Sequence, residues 1–449
     1  MGASHPQRRS IRSALARLPV AGLVLFTVGA GGCYLSHERG DAPGGGTCRG
    51  VEAWRYEDRG SAFSDAIADG SRRHVFGIVE RDGHGLWTFG SAGDVQRAGP
   101  IGESRAGAIL GVDGELLIAG RMRRTWRLER FDPFGAEVSS LELALESEEG
   151  GVTALVPAAD AGAVFAVGNV SSAGSGQEIF VVRATAAAIE WSRSYGGEHR
   201  AEDRPIGAFV DRDGRLVVLA QRWRSGGGGP FRVFAVDPDG DVAWDRLGDV
   251  GYARDSTWSF VPLDDGALLV GNPDAGPGAD RPARAIRLDR VGSTRWQTDL
   301  DVDGSGRQSV VNDALVRGDR FVLVGYSAER TAGMIWGLGA DGSLDFERSP
   351  EIPAEGTTTS FTQVEPFGDG YLVAGDRQWD GPTSWLFVRT DAEGRPGWVL
   401  EPPYDGRAPA PRALVGTRDG EGALAVGTAF PGEGRVRGGL ALELTERCD

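Results

Sequence analysis

This sequence predicts an all-β chain, built as a closed ring of small antiparallel sheets, on three observations. A short apolar run ending in glycine or alanine recurs about every fifty residues, at residues 74–77, 117–120, 165–168, 216–220, 267–271, 321–325, 371–375 and 423–427. Tight Asp-Gly turns punctuate the units, among them Asp113-Gly114, Asp213-Gly214, Asp239-Gly240, Asp265-Gly266, Asp341-Gly342 and Asp369-Gly370, and such dipeptides accept the positive φ that hairpins demand. An aromatic residue stands near the end of successive units, as Trp191, Trp244, Trp296, Phe346 and Trp398. No window of helical periodicity accompanies the units, which disfavours a repeated βαβ fold. Eight units of four short strands read as a single eight-bladed β-propeller. Seven blades is the alternative, because the first unit, residues 61–100, is short and lacks its closing aromatic.

The chain opens on a targeting segment. Arg8, Arg9, Arg12 and Arg17 form a basic region, residues 18–28 are uncharged and apolar, and Gly29-Ala30-Gly31-Gly32 precede Cys33. The apolar stretch is shorter than the twenty or so residues a membrane span needs. The segment resembles a bacterial lipoprotein signal peptide, which implies cleavage after residue 32 and lipidation of Cys33; plain secretion is the alternative. Residues 33–47, with Gly44-Gly45-Gly46 and no apolar pattern, are expected to form a flexible tether. The propeller is expected over residues 48–449.

The fourth unit shows the expected anatomy. Strands are predicted at residues 206–210, 215–221, 231–236 and 241–246, with tight turns at 211–214 and 237–240 and a loop at 222–230. Trp244 sits in the fourth strand. Stepping the aromatic forward from Trp398 runs off the C-terminus, whereas Trp54 stands unclaimed near the start. The last unit, meanwhile, ends after a third strand at residues 440–444. The N-terminal strand is therefore expected to complete the last blade. Cys48 and Cys448 then fall at the corner between its third and fourth strands. With Cys33 lipidated they form the one possible pair, and an exported protein occupies a compartment where disulfides persist.

The segment Trp191-Ser192-Arg193-Ser194-Tyr195-Gly196-Gly197, followed by Glu202-Asp203, resembles the SBBP-type bacterial β-propeller repeat. That resemblance implies an exported repeat protein and carries over no catalytic residue. Residues 234–244 are also similar to repeats of quinoprotein-type propellers, including the outer-membrane assembly lipoprotein.

Candidate sites come from the two faces of such a ring. Turns between first and second and between third and fourth strands are short, so binding is expected on the opposite face, where variable loops sit on a rigid scaffold. Arg222, Trp223 and Arg224, and Arg377 with Trp379, are aromatic–arginine groups of the kind enriched in binding hot spots. Asp301 and Asp303, in Asp301-Val302-Asp303-Gly304, have the alternation of a calcium loop but lack its later glutamate. Asp211 with Asp213, and Asp237 with Asp239, read as hairpin chemistry. The histidines show no pair at metal-ligand spacing, and neither a nucleophile elbow nor a phosphate loop occurs, so no cofactor and no catalytic residue is assigned. A pair of acids facing one another in the channel would escape a sequence reading.

Every one of the 48 basic residues is arginine, and the net charge is −16. The absence of lysine excludes Schiff-base chemistry, and the acidity argues against nucleic acid, which needs clustered cations. The expected function is therefore a monomeric, exported, lipid-anchored propeller. It binds or scaffolds an unidentified protein or glycan at the cell envelope, at the outer membrane and facing the periplasm or the surface. An envelope hydrolase using channel-facing carboxylates, or an accessory lipoprotein of outer-membrane protein assembly, are the alternatives.

Overall fold

The computed structural model describes residues 48–448 apart from short stretches between strands, of which 249–257, 273–281 and 301–308 are the longest; residues 1–47 and 449 lie outside the described residues. Every regular element described is a β-strand. Blade 1 comprises Ser61–Asp69, Arg72–Val79, Gly83–Phe89 and Val95–Gly102; blade 2, Arg105–Val112, Glu115–Met122, Thr125–Phe131 and Glu137–Ala144. Blade 3 continues with Gly150–Pro157, Val164–Ser172, Gly176–Ala184 and Ile189–Tyr195, and blade 4 with Glu202–Val210, Leu216–Arg224, Gly227–Val236 and Val242–Leu247. Blade 5 is Trp258–Leu263, Gly266–Gly271, Ala283–Asp289 and Thr294–Leu300; blade 6, Ser309–Arg317, Arg320–Ser327, Ala332–Leu338 and Leu344–Arg348; blade 7, Thr358–Phe367, Gly370–Gln378, Thr383–Thr390 and Pro396–Leu400. In each the strands pair antiparallel in chain order. Each first strand touches the first strand of the next blade, and Ala413–Gly416 of blade 8 touches Ser61–Asp69 of blade 1, so the first strands line one closed axis. The ring has eight blades, and the first unit is complete.

The recurring apolar run is the second strand of each blade. Sandwiched between neighbouring blades, it is buried on both faces, as at Leu216–Arg224, where residues 216–220 are almost wholly inaccessible. The glycine that ends the run has its own cause. In blades 1, 2, 3, 6 and 7 the first strand bulges just past the rung occupied by that glycine, opposite Gly77, Gly120, Gly168, Gly325 and Gly375. The bulged backbone presses a carbonyl against the glycine: a Cβ on Gly168, Gly325 or Gly375 would overlap the oxygen of Gly151, Val310 or Ser360. Blade 4 holds Ala220 at the same rung.

Blade 8 carries the seam. Its four main strands are Ala413–Gly416, Gly422–Pro431, Gly438–Cys448 and, as the outer strand, the N-terminal Cys48–Arg59, with the two-residue Gly406–Arg407 pairing the far end of Gly422–Pro431. The two chain ends run antiparallel from the Cys48↔Cys448 rung to Arg59↔Gly438. Their register shifts between Glu52 and Trp54, just as the third and fourth strands shift near Trp191, Trp244, Trp296, Phe346 and Trp398. Trp54 thus occupies the backbone position of the missing aromatic. In blades 1 and 2, Arg97 and Ser139 take that rung.

Outer-strand aromatics join the blades that carry them to the next. The indole of Trp191 donates to the carbonyl of Pro238 at 2.9 Å, and that of Trp296 to Ala340 at 2.8 Å. Both acceptors lie in the third-to-fourth turn of the following blade. The glycines of these turns have positive φ, 73° at Gly292 and 83° at Gly342, and a Cβ there would come within 2.6 Å of Trp244 and Trp296. At the seam no turn exists. Trp398 instead covers Gly50, where a Cβ would land on its ring, and donates to Glu446 at 2.8 Å. Overpacking so tight a contact costs about 1–3 kcal/mol. Gly50→Ala is expected to destabilise the chain by that amount in equilibrium urea unfolding, and far less in a Trp398→Ala background. Additive costs would show that the two do not meet across the seam.

Candidate functional site

The loop face differs from the sequence expectation in one respect: the ladders extend further. Residues 222–224 and 376–378, expected as loops, continue the second strands of blades 4 and 7, leaving only residues 225–226 between strands in blade 4. Two candidate binding residues change role as a result. Arg222 is buried, and its Nε and Nη2 donate to Asp203 Oδ1 and Oδ2 at 2.9 and 3.1 Å. Arg377 is buried as well and donates to Glu401 Oε2 at 2.9 Å. Both arginines are committed to the scaffold, because a desolvated guanidinium needs its carboxylate. Trp223 and Arg224 close the hairpin of blade 4, on rungs facing Gly228 and Gly227. Trp379 lies outside the described residues, as do Cys33, Asp301 and Asp303.

Trp191, Arg193, Tyr195 and Asp203 of the SBBP-like segment belong to an inter-blade clasp, while residues 197–201 lie outside the described residues. Besides the Trp191 bond, Arg193 Nη1 pairs with Asp241 at 2.5 Å, and the Tyr195 hydroxyl donates to the Gly240 carbonyl at 2.8 Å. Burial pushes the Tyr195 phenol up to about 12. Asp203, fully inaccessible, receives Arg222 and also Arg232 Nη1 at 2.9 Å; Arg232 further donates to the Tyr195 carbonyl and to Asp245. Asp203, the second acid of the pair that ends this motif, therefore supplies the anion of a buried network.

The channel wall holds two of the three carboxyls that burial raises most among the described residues. Asp313, directly after the bulge in the first strand of blade 6, accepts from Ser259 Oγ of blade 5 at 3.3 Å and from the Val364 amide of blade 7 at 3.0 Å. Burial raises its carboxyl to about 6 in spite of these bonds. Glu365, in the first strand of blade 7, rises to about 7, chiefly through burial and then through the charge of Asp313, while the Gly416 amide of blade 8 favours its ionised form. Two coupled carboxyls on adjacent first strands thus span blades 5 to 8. Asp313 is saturated by donors and acts as a staple; Glu365 is the group able to hold a proton near neutrality. Asp376, in the second strand of blade 7, is lifted to about 6 by burial. No sequence pattern singles out these acids, since Asp313 and Glu365 lie about fifty residues apart in unremarkable strands and only ring closure brings them together.

The remaining candidates are structural. Asp211 Oδ1 accepts the amides of Asp213 and Arg215, both at 2.9 Å, and so caps its own turn. His74 is buried with its Nδ1 at 3.1 Å from Thr88 Oγ1. Among the described residues no three His, Cys, Asp or Glu side chains are grouped to hold a metal ion.

Because Asp313 and Glu365 ionise at higher pH in the folded chain than in the unfolded one, folding takes up protons between about pH 4 and 7. Their contribution therefore weakens as pH rises through that window. Thermal melts of Glu365→Gln against the parent are expected to show the variant gaining relative stability from about pH 4.5 to about 7.5. A difference that stays flat with pH would remove Glu365 from the titrating wall.

No family model matches this chain, and no curated protein does. Solved structures do. A europium-containing methanol dehydrogenase is similar at a TM-score of 0.55 and 10% identity, over 88% of this chain and 93% of that one. Sqt1 of Chaetomium thermophilum is similar at 0.53 and 12%, over 86% and 95%. At such identities the likeness is one of fold alone, and it extends around almost the whole eight-bladed ring.

Proposed function

We propose that this chain is an exported, lipid-anchored propeller that binds a protein or glycan partner at the bacterial cell envelope and serves there as a scaffold. Residues 1–32 supply the export signal and Cys33 the lipid anchor; support for both comes from their sequence context and from the resemblance of residues 191–203 to SBBP-type repeats. The observation that carries the binding reading is the unequal use of the two faces. On the short-turn face aspartates accept the amides of residues two further along their own turns, and the indoles of Trp191 and Trp296 are bonded to the next blade. On the loop face, Trp223 and Arg224 end a hairpin whose facing rungs, Gly228 and Gly227, carry no side chain. An aromatic and an arginine at such a tip suit a partner surface. Crosslinking on intact cells is expected to trap a defined partner with the parent and to lose it with Trp223→Ala/Arg224→Ala at unchanged melting temperature. Retention of the partner by that variant would move the binding surface elsewhere.

The same reading joins Cys48 to Cys448. Facing residues of an antiparallel pair have Cα atoms about 4.5 or 5.5 Å apart, inside the range a disulfide spans, and these two are register partners. Non-reducing peptide mapping of the exported protein is expected to recover the two peptides linked; free thiols at both positions would leave the seam to hydrogen bonds alone.

A second reading, an envelope hydrolase, draws on Glu365 and Asp313, whose raised carboxyls border the channel. It gains less support, because Asp313 spends its oxygens on the neighbouring first strands. A place as accessory lipoprotein in outer-membrane protein assembly is compatible with the scaffold role and would show as a complex stable to mild detergent.

A further inference from the structure

We infer that the short-turn face is the one turned toward the membrane, resting on neutral lipid, so that the loop face and its channel mouth point away from the bilayer. This orientation rests on the Cys33 anchor proposed above, and its geometry comes from the seam. In blades 1 to 7 the third strand runs to the short-turn face and the fourth leaves it. Cys48 begins an outer strand opposite Cys448 at the end of a third strand, so it lies at that same corner. Trp398 marks the same position by covering Gly50 as Trp296 covers Gly342. Chain upstream of Cys48 must leave from the short-turn face, and the fifteen or so peptide units back to Cys33 reach at most about 50 Å.

That face also carries most of the large apolar side chains that stand exposed among the described residues. Phe134 and Val291 sit in third-to-fourth turns, and Val138, Val242 and Leu344 at the start of outer strands; Leu247 and Phe430 lie toward the other face. Few such side chains would hold a free protein on lipid. On a short tether the effective concentration is in the millimolar range, and weak apolar contacts are enough. The aspartates of the same turns repel anionic headgroups, which fits neutral lipid.

Val242 and Leu247 make the test clean. They end the same outer strand, are 47% and 50% exposed, and stand about 16 Å apart along it. The chain contains no lysine, so Val242→Lys and Leu247→Lys each give one side-chain amine for a fluorophore, with the lysine-free parent correcting for the terminal amine. The lipidated full chain is placed on phosphatidylcholine vesicles carrying a headgroup quencher. Quenching is expected to be several-fold stronger at 242 than at 247. It should weaken at 242 when phosphatidylglycerol is added, or in Phe134→Ser/Val291→Ser, while the protein stays on the vesicles. Equal or reversed quenching on bound protein overturns the orientation, and indifference to both changes overturns the lipid contact. Failure of the anchor reads differently: Cys33→Ser would then sediment with vesicles as the parent does.

Discussion

A constraint repeated around this ring, on which its channel wall depends, is the pressure of a bulged first strand against a Cα that bears no side chain. At Gly168, Gly325 and Gly375 the neighbouring carbonyl leaves no room for a Cβ, and the rung is the one at which the first strand gains its extra residue. A bulge bends a strand and re-aims the side chains beyond it. In blade 6 the residues so placed are Asn312 and Asp313, and both reach the first strand of blade 7, Asn312 through the Phe361 carbonyl at 2.7 Å and Asp313 through the Val364 amide. The glycine that marks the repeat and the acid that marks the channel are thus products of one backbone irregularity.

Much of the fold was legible in the sequence for this reason. The run-plus-glycine records a local requirement repeated in each blade, and the outer aromatics record a second one, so counting them located the displaced strand. The site was legible only in part. Arg222 and Arg377 looked like loop residues because the turn-rich stretches after them suggested that the ladders had ended. The ladders instead continue, and each arginine is drawn in to a carboxylate, Asp203 or Glu401, that no local pattern connects to it. Asp313 and Glu365 failed to stand out for the opposite reason. Nothing is unusual about either residue in its own strand, and their coupling exists only because neighbouring blades set their first strands side by side around the axis.

Buried ions shape the loop-face half of blade 4 in a similar way. Asp203 holds two guanidinium groups, and Arg232 passes the connection on to Tyr195 and Asp245. Such networks add little net stability over an apolar core, but losing one member leaves a charge stranded. Their effect here is to fix how blade 3 meets blade 4, since Tyr195 belongs to one and Asp203, Arg222 and Arg232 to the other. Trp223 and Arg224, the residues proposed to bind on that face, are therefore carried on a strand whose preceding residue is locked.

Blade 2 shows the consequence of losing one partner of the corner contact. Its outer strand has Ser139 where blades 3 to 7 have an aromatic, and the corner it approaches, in blade 3, is built differently. Residues 185–188 contain no glycine, and the turn is held by the Thr185 amide and hydroxyl, both bonded to the Ala188 carbonyl. A small cavity lined by Ser139, Leu141, Thr185 and Ala186 remains between them. The aromatic and the positive-φ glycine occur together at Trp244 with Gly292, Trp296 with Gly342 and Phe346 with Gly394, whereas Gly135 in the blade 2 turn keeps a positive φ although blade 1 carries Arg97 at that rung. The glycine is needed twice over, by the φ of the turn and by the ring lying on it. With the ring gone, a turn without glycine becomes tolerable, and the cost appears as unfilled space. At the seam the ring is kept and the turn is absent, and a glycine, Gly50, still lies beneath Trp398. Where a ring lies on a corner it demands a bare backbone beneath it, with or without a turn.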